Sequence, residues 1–261
     1  MVLKHTAHFV MQSKGGAGKS VVSALLAQYL LEHEEDLILV DTDPSNKTLG
    51  SYQGLNVQKI EVLNKNKLVD QSKFDTFMNE FLASDKPMLV DTGSGDFLAI
   101  NSYIFKNEIP TIFRDSGKQM FIHVPVNFGQ SKDETLKCLH DIAINHQNIY
   151  VVIWENEFFG ENNDDALAPF LKKLENIAGV VKIREMNPDT EEQDFSRMLQ
   201  QSLTFDEVRT KTDDPKFGFI QKTRLERIRK EIWAQLDNLF VADIDHPSDK
   251  NIKVEASKAK S

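Results

Sequence analysis

Cysteine is nearly absent: Cys138 is the one thiol in 261 residues. A disulfide framework is therefore impossible within one chain, and a single thiol argues against a cysteine-based metal cluster. The histidines (His5, His8, His33, His123, His140, His146 and His246) have no metal-ligand spacing, so none is assigned a role. No apolar run reaches the roughly 18 residues of a membrane span. The stretch Met1 to Val10 lacks the long apolar core of a secretory signal. The expected compartment is the cytoplasm, with no membrane partner. A positive balance is missing too: 31 Lys and Arg stand against 40 Asp and Glu, a formal charge of −9. That total argues against a bulk nucleic-acid coat but leaves a local basic patch open.

The remainder is ordinary for a soluble globular chain, with 40% hydrophobic and 27% charged residues. The length suits one α/β domain with room for a helical appendage. No internal repeat interrupts it. Ala7 to Met11 is a short apolar run ending at a glycine loop, which predicts a buried strand. Val21, Val22, Leu25, Leu26, Tyr29 and Leu30 then recur at helical spacing and stop in the acidic stretch Glu32 to Asp36. Leu37 to Val40 predicts a second strand, ending at Asp41. Strand, loop, helix and strand in that order make a βαβ unit with parallel strands.

The alternation continues. Helices are expected around Phe74 to Phe81, over 97–108, around Leu136 to Ala143 and over 164–177. Strands are expected at Pro87 to Val90, Met120 to Val126, Ile149 to Trp154 and Gly179 to Ile183. This pattern predicts an α/β fold: a doubly wound, mainly parallel sheet with helices on both faces. Residues 190–210 are polar with a short helical pattern. From Pro215, the positions Leu225, Ile228, Ile232, Leu236 and Leu239 predict a long amphipathic C-terminal helix over 215–240. Residues 1–242 are expected to form a single domain, and the polar segment 243–261 a disordered tail.

The chemistry concentrates in Ser13-Lys14-Gly15-Gly16-Ala17-Gly18-Lys19-Ser20, between a strand and a helix. Binding a triphosphate needs many N–H donors aimed inward, which a glycine-rich backbone supplies without side-chain clashes. The helix that follows directs its positive end at the phosphates. Lys19 is expected to reach the β- and γ-phosphates, and the Ser20 hydroxyl to ligate Mg²⁺. The nucleotide-binding set is Gly15, Gly16, Ala17, Gly18, Lys19, Ser20 and Val21. Ser13 stands where the strict pattern has its first glycine.

With Lys14, the loop resembles the deviant Walker A motif K-G-G-x-G-K-[ST] of the ParA/MinD group. The resemblance implies that Lys14 reaches across a homodimer to the partner's nucleotide. Asp41-Thr42-Asp43-Pro44 resembles that group's switch I, and Asp91-Thr92-Gly93-Ser94-Gly95 its switch II. By resemblance, Lys14, Lys19 and Asp43 serve catalysis, with Asp43 orienting or activating the attacking water. Ser20, Asp43 and Asp91 attend Mg²⁺, and Asp41 supports them. Gly93 and Gly95 would let their segment move when the γ-phosphate leaves. The guanine-reading N-K-x-D pattern is missing, since Asn64-Lys65-Asn66-Lys67 lacks its aspartate, and this favours ATP/ADP. Asn156, after a strand, either bonds the adenine edge or closes a turn.

Within the group, relatives that hold iron–sulfur clusters need paired cysteines. Membrane-bound relatives end in an amphipathic helix, unlike the polar stretch Asp249 to Ser261, and the tyrosine kinases carry a tyrosine-rich tail, whereas no tyrosine follows Tyr150. Phe9 to Lys14, Ala27 to Leu30, Trp154 to Gly160 and Met198 to Glu207 resemble the TraL/StbB-like proteins of conjugative plasmids. That resemblance implies a role in conjugal transfer, plasmid stability or positioning, with transfer-machinery protein as a partner. Lys222, Arg224, Arg227, Arg229 and Lys230 fall within nine residues of the C-terminal helix. They are either a non-specific DNA surface or a solvated helix face. The expected function is an ATP-hydrolysing dimerising switch. The alternatives are an ATP-dependent ligase or small-molecule kinase, and a non-hydrolysing scaffold.

Overall fold

The computed structural model describes residues 3–34, 36–43, 49–66, 68–145, 148–210 and 214–240. Pro44 of the switch I resemblance and the expected tail 243–261 lie outside them. Seven strands follow in chain order: β1 (Thr6–Val10), β2 (Ile38–Asp41), β3 (Val57–Lys59), β4 (Met88–Asp91), β5 (Gln119–Asn127), β6 (Tyr150–Asn156) and β7 (Ile177–Ile183). They form one sheet in the order β3-β2-β4-β1-β5-β6-β7, and every pairing is parallel. The helices are α1 (Lys19–His33), α2 (Ser72–Leu82), α3 (Phe97–Lys106), α4 (Ile109–Asp115), α5 (Lys132–Asn145), α6 (Ala168–Lys173), α7 (Glu191–Gln200), α8 (Phe205–Thr210) and α9 (Phe219–Phe240).

The central strands read as continuous apolar runs because both faces of the sheet are covered. Val10, Leu39, Leu89, Phe121 and Val152 point into a core shared with α1, α7, α8 and α9. Their neighbours Phe9, Val40, Val90, Ile122 and Ile153 point into a second core shared with α2, α3, α4 and α5. Phe240, at the end of α9, meets the rings of His8, Phe121 and His123 and ties the C-terminal helix to the centre of the sheet. A fully buried aromatic of this kind contributes about 1.5–3 kcal/mol on leaving water.

A polar chain crosses that centre. Trp154 Nε1 can only donate, so His123 Nδ1 accepts it at 2.9 Å. His123 Nε2–H then donates to His8 Nδ1 at 2.9 Å, and His8 Nε2–H donates to Thr6 Oγ1 at 2.9 Å. The Thr6 hydroxyl ends the chain on the Leu3 carbonyl. Burial holds His8 down at about 3 and His123 well below the ordinary range, so both rings are neutral structural groups.

Four expectations shift. β3 is an added edge strand, only three residues long and largely polar, with no apolar run to announce it. The helix expected over 97–108 is two, since Glu108 takes a left-handed conformation and Pro110 begins α4 in its first turn. The helix expected over 164–177 is six residues long, because Leu174 is extended and Ile177 already belongs to β7. Pro215 begins a short 3-10 turn, and the C-terminal helix itself starts at Phe219. It buries Leu225, Ile228, Ile232, Trp233, Leu236 and Phe240, with Leu239 half-buried at its edge.

Candidate functional site

The carboxyl ends of β1, β2, β4 and β6 converge on one cleft, as expected for ligand sites in open α/β sheets. β1 delivers the glycine loop. Gln12, fully buried, anchors its entry: Nε2 donates to the Pro125 carbonyl at 2.8 Å, and Oε1 accepts the Lys14 N–H at 3.3 Å. The Ser13 N–H donates to Cys138 Sγ at 3.4 Å, so the lone thiol is a loop support. Gly18 has φ +98 and precedes α1, and a Cβ there would come within 2.8 Å of Asn156 Nδ2. The loop requires glycine at this point for both reasons.

The cleft has a volume of about 500 Å³. Gly15, Gly16, Gly18, Lys19, Ser20 and Val21 line it on the loop side, with Asp43, Thr92, Ser94 and Asn156 opposite or beside them. Ala17 is buried within the loop and does not line the cleft. Beyond the loop the cleft opens on Phe158, Ile183, Phe195 and Leu199, an apolar slot. Asn156 stands between the two: its Oδ1 accepts the Phe158 N–H at 3.2 Å and closes a short turn, while Nδ2 faces Gly18.

Buried charge surrounds Lys19, which is 8% exposed. Burial lowers its pKa, and the charges of Asp91, Asp96 and Asp43 work against that fall. Asp91 is fully buried and pushed up to about 7 by burial, with the charge of Asp41 adding to the rise. Hydrogen bonds from Ser23, Ser20 and the Leu49 N–H oppose it. Ser23 Oγ donates to Asp91 Oδ1 at 2.8 Å. Asp41, also buried, accepts the Asp43 N–H on Oδ1 at 2.9 Å and the Gly50 N–H on Oδ2 at 2.7 Å. It ties Asp43 and Gly50 to the end of β2.

The hard oxygens of Ser20, Asp43 and Asp91 beside Lys19 suit Mg²⁺. The Ser20 hydroxyl already hydrogen-bonds Asp91, so the two come together as a pair. Among the described residues no group of three or more His, Cys, Asp and Glu could hold a metal ion. The remaining ligands would therefore be phosphate oxygens and water, the usual Mg²⁺ arrangement in nucleotide sites.

Lys14 is placed elsewhere. Its side chain leaves the cleft and meets Glu134 of α5, with Nζ 2.5 Å from Oε2. It borders a separate hollow with Phe97, Leu98, Asn101 and Lys137. The basic residues of α9 are also engaged. Arg224 pairs with Asp194 at 2.6 Å, Arg227 with Glu191, and Arg229 with Glu32 and Glu226 at 2.7 Å each. Lys222 donates to the Arg209 carbonyl, and Lys230 lies 3.8 Å from Glu226. Sequence reasoning missed Gln12, Ser23, Thr42 and Asp96 at this site. Gln12 and Thr42 lie inside stretches read for resemblance but without roles of their own, and Asp96 directly follows the Asp91-to-Gly95 segment.

An all-parallel sheet that sets a glycine loop and a helix N-terminus against strand-end carboxylates is the P-loop NTPase-like class of α/β protein. Residues 8–222 match the CobQ/CobB/MinD/ParA nucleotide binding domain, and the chain belongs to that family. It is 27% identical over 236 residues to a Protein TraL of Escherichia coli, covering 88% of this chain and 96% of that one. A second Protein TraL of Escherichia coli is 26% identical over 240 residues, covering 90% and 98%. Similar solved structures include the MinD cell division protein of Aquifex aeolicus, with TM-score 0.46, 15% identity and coverage of 88% and 97%. A putative plasmid partition protein of Borrelia burgdorferi bound to AMPPNP has TM-score 0.44, 14% identity and coverage of 85% and 97%. ParA/MinD-type proteins are in general P-loop ATPases that bind nucleotide with Mg²⁺. Among the described residues, no helix is long and apolar enough to cross a membrane.

Proposed function

We propose that this protein is an ATP-binding and ATP-hydrolysing switch that dimerises on ATP and serves plasmid transfer, stability or positioning. One observation carries the reading. The cleft holds its own cis lysine, Lys19, while Lys14 of the same loop points out of the cleft to an exposed carboxylate on α5. A lysine so placed is turned away from the cleft of its own chain, and on leaving Glu134 it would turn toward the nucleotide of a second copy. ATP would then favour the dimer because each triphosphate offers charge to two chains, and hydrolysis would release it.

Within each chain, the loop N–H groups and Lys19 hold the phosphates, and Phe158, Phe195 and Leu199 receive the base. Asn156 braces the loop at Gly18 and borders the base slot. Asp43 orients the attacking water, with Asp41 holding its segment. Ser20, Asp43 and Asp91 would hold Mg²⁺, which would supply positive charge against the β- and γ-phosphates. The two relatives named TraL favour the plasmid setting. The intrachain pairing of Arg224, Arg227 and Arg229 speaks against α9 as a DNA surface.

The test is ATP turnover with purified protein and Mg²⁺. Slow hydrolysis is expected, abolished in Asp43→Ala with nucleotide binding kept, and lost together with binding in Lys19→Ala. Turnover unaffected by Asp43→Ala would sink the assignment of that residue. Turnover that requires an added small-molecule acceptor would favour a ligase or kinase instead.

A further inference from the structure

Asp96 is a buried acid beside the cleft that the proposed chemistry does not use. It occupies the N-cap position of α3 and is 3% exposed, yet its side chain makes no cap hydrogen bond. An aspartate at that position ordinarily turns back to accept an N–H of the first helical turn. Asp96 turns the other way. Its Oδ2 accepts the Thr42 hydroxyl at 2.5 Å, across to the segment that leaves β2. Its Oδ1 is buried with no protein hydrogen-bond partner among the described residues. Native structures avoid such orphaned acceptors, and those that persist concentrate at functional sites.

The surroundings show what the side chain joins. Thr42 immediately precedes Asp43, and its N–H donates to the Asp91 carbonyl at 3.1 Å. A Cβ on Gly93 would come within 2.8 Å of Asp96 Oδ1 and 2.9 Å of Asp43 Cβ. Gly93 is therefore the spacer that lets the two segments touch, and any larger residue would wedge them apart. The Asp96 carboxyl also feels the charges of Asp43 and Lys19, so it lies within electrostatic reach of the phosphate end of the cleft.

We infer that Asp96 is a positioning residue for hydrolysis. By holding Thr42 it locks the Asp41–Asp43 segment onto the Asp91–Gly95 segment, and so sets Asp43 against the attacking water. The inference rests on the ATPase reading above. It adds a side-chain to side-chain bond at the joint between the two acidic strand ends, beside the contacts of the Thr42 N–H and hydroxyl with the Asp91 carbonyl.

The experiment uses the full chain and separates binding from turnover. ATP hydrolysis is measured at saturating ATP and Mg²⁺, and affinity is measured with a fluorescent non-hydrolysable ATP analogue. Asp96→Ala removes the bond from one side and Thr42→Val from the other, so a variant that fails to fold does not decide the matter. Each is expected to lower kcat about 10- to 100-fold, the scale of a misplaced catalytic group, with analogue affinity held within about 2-fold. The double variant is expected to lose no more than Thr42→Val alone, because that change already cuts the Asp96 bond together with the 3.2 Å contact of the Thr42 hydroxyl with the Asp91 carbonyl. Asp96→Asn, whose amide oxygen still accepts from Thr42, is expected to keep most of the turnover. Wild-type kcat in Asp96→Ala or in Thr42→Val overturns the inference while leaving the ATPase reading intact. An Asp96→Asn variant as slow as Asp96→Ala also overturns it, since the charge rather than the tie would then be needed. A wild type that hydrolyses no ATP overturns both.

Discussion

Glu134 pairs with Lys14, the lysine on which the proposed switch depends, and changing it to glutamine is expected to strengthen the ATP-loaded dimer. The Lys14–Glu134 contact is close, but the two side chains are 40% and 59% exposed. A solvent-exposed ion pair of this kind is worth about 0.2–1 kcal/mol. If Lys14 must leave Glu134 to reach the partner's nucleotide, each dimer gives up two such pairs. The combined opposition is then about 1 kcal/mol, with a ceiling near 2 kcal/mol. Glu134→Gln should therefore lower the dimer dissociation constant about 5-fold and by no more than about 30-fold. Mass photometry across a concentration series, with a non-hydrolysable ATP analogue and Mg²⁺, measures that constant. The gain should shrink as salt rises from 0.05 to about 0.5 M, because the lost pair is surface-exposed. In ADP both proteins should remain monomeric. An unchanged constant at low salt would mean that the pair does not oppose dimerisation. A weaker dimer would place Glu134 in the dimer contact itself, and the reasoning would be wrong.

Three further outcomes follow from other parts of the molecule. Gly18→Ala should abolish nucleotide binding by calorimetry while leaving the fold intact, because a methyl group there meets both a left-handed backbone and Asn156 Nδ2; retained affinity would contradict the loop geometry. In nucleotide-free, Mg²⁺-free protein, the folded pKa of Asp91 is about 7, raised above its unfolded value. Its stabilising contribution is full below about pH 4 and is lost as pH rises through 7, so Asp91→Asn should gain on the wild type by roughly 2 kcal/mol between pH 5 and 8. Urea melts at the two pH values measure this, and a constant difference would show that Asp91 is not held as a buried acid. Nucleotide-loaded protein should not be retained on generic DNA in a salt titration, since Arg224, Arg227 and Arg229 face intrachain carboxylates; retention at low salt that is lost in Arg227→Ala would restore the DNA surface.

The loop was readable because its demands are local. Glycines at Gly15, Gly16 and Gly18 followed by Lys19 and Ser20 need nothing from the rest of the chain to mark a glycine loop between a strand and a helix. The strands were readable because both faces are buried, so apolar runs such as Leu37 to Val40 stand out. What stayed hidden depends on partners far away in sequence. Lys14 turns to Glu134, 120 positions later, and no feature of the loop foretells that direction. The carboxylates that occupy Arg224 and Arg227 come from α7, at Asp194 and Glu191. The apolar slot beyond the loop gathers Phe158, Ile183, Phe195 and Leu199 from three separate segments. Asp96 follows the Asp91-to-Gly95 segment without a motif of its own, and its partner Thr42 lies 54 positions earlier. β3 has no apolar signature because Val57 is its one apolar residue, half-buried against the core, while Gln58 and Lys59 are exposed.

The dimer switch itself is tested by light-scattering mass on size-exclusion, comparing wild type and Lys14→Ala with ADP and with a non-hydrolysable ATP analogue. Wild type should run as a monomer near the chain mass of 29.8 kDa in ADP and as a dimer with the analogue. Lys14→Ala should bind the analogue with near-wild-type affinity and stay monomeric. A Lys14→Ala protein that dimerises on the analogue as the wild type does, or a wild type whose mass ignores the nucleotide, would contradict the switch.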